Sequence, residues 1–141
     1  MQVEIFTLCD AATLQEGKLN ILGTFDTIWV ADIPAIYPQC AVAMRLRFTR
    51  IEEGRHQIAV HVVDVDGQAI IPPLGGEIEI AMGPEDSFST VSLVLNMHRL
   101  PIQKCDECAV QLTIDKIEAF SLPFRVRKIV KPEGGNHEPH G

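Results

Sequence analysis

Val42-Ala43-Met44-Arg45-Leu46-Arg47-Phe48 is the stretch that decides the fold class. Val42, Met44, Leu46 and Phe48 recur at every second position, with Arg45 and Arg47 between them. In an extended chain, successive side chains leave opposite faces, so the apolar set lines one face and the arginines stand on the other. That is the pattern of a half-buried antiparallel strand. The same period returns in Glu77-Ile78-Glu79-Ile80 and in Val110-Gln111-Leu112-Thr113-Ile114. It returns again in Ser89–Met97, where Val91, Leu93, Leu95 and Met97 share a face.

Turn signals divide these runs at short spacing: Glu52-Glu53-Gly54, Asp66-Gly67, Pro72-Pro73-Leu74-Gly75-Gly76, Gly83-Pro84-Glu85-Asp86 and Asp115-Lys116. Asp66-Gly67 is the strongest short hairpin signal. Helix signals are few. Asp10–Gly17 reads as one helical turn capped by Asp10 and closed by Gly17, and Ile33–Pro38 is too broken by proline. The expectation is an all-β, single-domain antiparallel β-sandwich of immunoglobulin-like pattern with eight or nine strands. A β-barrel is the alternative. The domain should span residues 1–130. Residues 131–141 hold no large apolar side chain and read as a flexible tail.

The chain's 141 residues suffice for one domain with a real core, since about two thirds of the surface can be buried at this size. Net charge is −7, which argues against nucleic-acid or anionic-membrane partners. No basic stretch precedes an apolar run near Met1, and no run approaches the ~20 residues of a membrane helix. Four cysteines are too few for a disulfide scaffold. The expected location is cytoplasmic.

Leu8-Cys9-Asp10-Ala11, followed by Gly17-Lys18-Leu19-Asn20-Ile21-Leu22-Gly23-Thr24-Phe25-Asp26, resembles the opening of a family of small bacterial proteins classed only as a domain of unknown function. Pro34, the Val42–Phe48 strand and Asp64-Val65-Asp66-Gly67 fit the same pattern, so the resemblance covers roughly residues 2–130. It implies an immunoglobulin-like sandwich and carries no activity or catalytic residues.

Cys105-Asp106-Glu107-Cys108 has the spacing of half a zinc knuckle or of a redox pair, with His98 the nearest histidine. A structural zinc site needs two further ligands, and the pair precedes a strand rather than opening a helix. Loop cysteines without metal are the plainer reading. Asp64-x-Asp66-Gly67 opens like a calcium loop but lacks the acid expected further on, so a hairpin turn is the simpler account.

Arg45 and Arg47, like Arg125 and Arg127, project from the polar faces of their strands. Neighbouring strands would join them into an anion-binding patch. Glu77 and Glu79 could neutralise them instead. Trp29, Phe25 and Tyr37 could form an aromatic binding surface, against which stands the ordinary role of a lone tryptophan in a core. Gln57–Val65 is apolar on both faces. Ala59, Val63 and Val65, with His61 among them, need a cover from either a second copy of the chain or the Ile70–Leu74 segment.

No hydrolase elbow, cofactor loop or complete metal set is present, and no cofactor is expected. The reading leans away from an enzyme, towards a non-catalytic binding or assembly module acting through sheet faces or end loops. A homodimer through His61, Val63 and Val65 is favoured. The alternative function is a metal-binding or thiol-dependent protein using Cys105 and Cys108.

Overall fold

A computed structural model describes residues 1–130; the tail expected over 131–141 lies outside the described residues. Nine strands follow one another: β1 (Gln2–Gln15), β2 (Lys18–Thr24), β3 (Thr27–Val30), β4 (Ala35–Thr49), β5 (Gly54–Val63), β6 (Leu74–Ile80), β7 (Phe88–Ile102), β8 (Glu107–Ile114) and β9 (Ile117–Lys128). They form one sheet of order β2-β1-β4-β7 and another of order β3-β9-β8-β5-β6. The second sheet curves as half a barrel. All pairings are antiparallel except β3 with β9. The expected all-β sandwich is the architecture found. The only helix among the described residues is the 3₁₀ turn Arg50–Glu52, and none is long and apolar enough to cross a membrane.

The alternation that predicts the strands also fills the core. Val42, Met44, Leu46 and Phe48 of β4 have no solvent exposure, nor do Val60 and Val62 of β5 or Val110 and Leu112 of β8. Each such side chain gains roughly 1.5–3 kcal/mol on leaving water. A smaller apolar cluster gathers separately from this core. Cys9, Ala41 and Ala43 are buried there against Ala12, Leu19, Ile21 and Val94. Because β2 touches β4 and β7 although β1 is its hydrogen-bonded neighbour, the β1–β2 hairpin leans over the outer face of its sheet. Alanines at 41 and 43 leave room for that approach.

The helical turn expected at Asp10–Gly17 is strand and hairpin instead. Glu16 and Gly17 both have positive φ (52° and 73°), and Gln15 pairs with Lys18. This is a two-residue hairpin loop whose twist matches its strands. Asp115 and Lys116 make the equivalent turn between β8 and β9, as the sequence suggested. Asp66-Gly67 also turns the chain: Asp64 accepts from the backbone N–H groups of Asp66 and Gln68, and Val63 bridges Ala69. Gly75 and Gly76, read as loop, belong to β6.

His56 of β5 ties together the 3₁₀ turn and the β8–β9 turn. Its Nδ1 lies 2.7 Å from Asp115 Oδ2, and its Nε2 faces the Glu52 carbonyl oxygen. Both partners are acceptors, so both bonds are made together only in the imidazolium form, with a proton on each ring nitrogen. These bonds raise the His56 pKa, the Glu52 carbonyl first and Asp115 second. Stability from the charged ring is therefore fully present below about pH 6.5 and lost as pH rises through the folded value. The Asp115 carboxyl is lowered, chiefly by the Gln57 N–H, so its contribution is lost only in acid. Urea midpoints should fall between pH 6 and pH 8.5 for the parent, and His56→Gln should flatten that slope. An equal slope in both proteins would remove His56 as its source.

Candidate functional site

The residues that quoted the family resemblance converge in space. β1 runs alongside β4 as far as Cys9–Ala41 and then pairs only with β2, so Asp10 sits where the hairpin departs. Opposite it, Gly23 has φ +69°, and a Cβ there would lie 2.4 Å from Asp10 Oδ2. Glycine is what lets the carboxylate occupy that place. Beyond Gly23 the Phe25 N–H donates to Leu8 O, and Asp26 O accepts from Arg125 N–H, which carries the chain across to the other sheet. There β3 lays Trp29 opposite Arg127, and Ile129 N–H donates to Val30 O.

Asp10, Gly23, Thr24, Phe25, Thr27, Trp29, Tyr37 and Ile129 line one hollow of about 310 Å³. The Phe25 and Tyr37 rings are 5.9 Å apart and tilted by 54°. The Trp29 indole Nε1 is buried without a hydrogen-bond partner. A buried donor left unpaired costs roughly 1–3 kcal/mol, and Arg47 Nε on the other sheet shares that condition. Asp10 is exposed, and among the described residues no cation pairs with it. Burial first, and then the charge of Asp10, raise the Tyr37 hydroxyl's pKa. Burial also pushes Cys40 up to about 11 and raises Cys9, so both neighbouring thiols stay protonated.

Phe25, Trp29 and Tyr37, the three aromatic residues singled out in the sequence, thus line one hollow. Asp10 and Gly23 were not read as site residues. Their only sequence signal was their place in the family-like opening.

The other candidates do not converge. Arg45 and Arg47 belong to one sheet and Arg125 and Arg127 to the other, so the four guanidinium groups form no common patch. Glu4 pairs with both Arg45 (2.9 Å) and Arg47, and the Arg45 hydrogen bond leads in holding its carboxyl below the usual range. Glu77 pairs with Arg55 instead. Cys105 is exposed and Cys108 half-buried in thiol form, while His98 lies on β7 opposite Gln39. Among the described residues no three His, Cys, Asp or Glu side chains gather to hold a metal. Burial, followed by Asp106 and Asp64, raises the Cys108 pKa, the opposite of an activated thiol.

On the β5 outer face Ala59 and His61 are half-buried. Val63 is 8 % exposed, closed in by its bridge to Ala69, and His61 Nε2 lies 3.3 Å from Thr113 Oγ1. Val65, 56 % exposed, sits beyond the strand in the turn.

A second hollow, of about 320 Å³, is floored by Leu100, Ile102, Phe124 and Val126 and edged by Asp64, Lys104, Asp106 and Cys108. Its carboxylates are already engaged: Asp64 accepts from two backbone N–H groups and Asp106 from Glu107 N–H. Asp10, by contrast, has no cation paired with it among the described residues.

A family model described as a family of unknown function (DUF6941) matches residues 4–127. No curated protein matches. Among solved structures, the chain is similar to a Pseudomonas fluorescens alkylpurine DNA glycosylase, AlkC, bound to DNA containing an abasic site analog. The identity is 8 % and the TM-score 0.46, over 86 % of this chain and 30 % of that one. The chain therefore spans less than a third of that protein's length.

Proposed function

The chain belongs to this family of unknown function, DUF6941, and we propose that it is a non-catalytic binding module whose site is the hollow between Asp10, Phe25, Trp29 and Tyr37. One observation carries the reading: three aromatic residues border a single hollow together with Asp10, a carboxylate that no cation pairs with among the described residues. Its volume falls at the lower end of the range of small-ligand pockets.

Trp29 is the only tryptophan, so intrinsic fluorescence reports on this hollow alone. A screen of small charged and neutral fragments should yield compounds that shift Trp29 emission. Phe25→Leu, which keeps apolar volume but removes a ring, should weaken them about tenfold. Binders that leave Trp29 emission unchanged and map elsewhere would defeat the proposal.

A further inference from the structure

The hollow's chemistry is lopsided. Among the described residues its ionisable lining consists of the Asp10 carboxylate and the Tyr37 phenol, and no lysine or arginine borders it. Aromatic faces carry negative quadrupole density, which attracts cations whose own hydration is weak. Ammonium groups with methyl substituents fit this best, because they keep their charge while shedding little water. A primary ammonium forfeits strong hydration on entering such a site, and an anion would meet Asp10 with nothing to balance it. The chain's net charge of −7 favours cations at longer range as well. Gly23 adds a constraint of its own, since any side chain there would displace the Asp10 carboxylate from the rim.

We propose that the hollow takes a quaternary or methylated ammonium group, with Asp10 as its counter-charge and Phe25, Trp29 and Tyr37 as its walls. This rests on the hollow being the binding site. Such a group could arrive free or on a peptide side chain, and the two share the chemistry that would be recognised.

The test sets choline against its neutral carbon analogue, 3,3-dimethylbutan-1-ol, which has nearly the same shape. Both are titrated into the full chain and followed by Trp29 fluorescence. Choline should bind at least about tenfold more tightly. Asp10→Asn should remove most of that preference while leaving the neutral analogue unaffected. A short peptide carrying trimethyllysine forms a third arm. Tighter binding than choline assigns the group to a chain, and weaker binding assigns it to a free molecule. Equal affinity for choline and the alcohol would overturn the cation assignment yet leave the site standing. Binding of neither, while other fragments still shift Trp29, would also overturn the cation. Silence from Trp29 towards every compound would overturn the site itself.

Discussion

Gly75→Ala should lower the free energy of unfolding by about 3 kcal/mol, the upper end of what a backbone forced out of its allowed region costs. Gly75 has φ +132°, a region that L side chains rarely adopt. A Cβ there would lie 2.1 Å from the Ile58 carbonyl oxygen and 3.1 Å from Ala59 Cα. Every neighbour is backbone, so no side chain can rotate away. Relief would require β6 to lift from β5 along the Ala59–Gly75 register. Since β6 is an edge strand of its sheet, lifting is the available response. Gly76 supplies the control: its φ is not in the forbidden range and nothing lies within 4 Å of its added Cβ. Gly76→Ala should stay within about 0.5 kcal/mol. Urea unfolding of both variants decides the matter, and similar losses would mean that β6 does not meet β5 in this register.

That pair of glycines also shows where sequence reading stops. Gly75-Gly76 next to Pro72-Pro73 has the composition of a loop, and only the closeness of Ile58 reveals a strand. Local signals misled at Asp10–Gly17 for a similar reason. A capping aspartate and a closing glycine suit a helical turn and a hairpin equally, and the outcome is fixed by Lys18–Thr24 pairing with β1. By contrast, Val42–Phe48 needed no distant information, because alternation with period two is both the strand signal and the core. The site divides along the same line. Trp29, Phe25 and Tyr37 stand out by residue type, but Asp10 joins them only through the β1–β2 register and the departure of that hairpin from β4. The arginine pairs failed as a patch because alternation reports a face and not which sheet the strand joins. Val63 was read correctly as apolar on the second face of β5. Its bridge to Ala69 depends on a loop whose path the alternation does not encode.

Phe48→Ala should be costlier still, at about 3–5 kcal/mol, the range for emptying an aromatic site in a packed interior. Phe48 has no solvent exposure and belongs to the main core with Leu46, Ile58 and Ile80. Typical domains have only about 5–15 kcal/mol in hand, so the variant would approach the threshold of folding. Phe48→Leu separates packing from a second contribution. It preserves most of the apolar volume, so cavity and strain together should cost less than about 1.5 kcal/mol. What it deletes is the ring, whose centroid lies 5.4 Å from that of His56. A charged imidazole beside an aromatic face is stabilised by the ring quadrupole, whereas a neutral one is held by dispersion alone. His56 is the protonated partner of Asp115 and the Glu52 carbonyl, and its pKa is raised. The Phe48→Leu loss should therefore be larger at pH 5.5, below that pKa, and shrink as pH rises through it. Equal losses at pH 5.5 and pH 8.5, measured by urea unfolding, would assign the whole effect to packing and leave His56 held by its two hydrogen bonds alone.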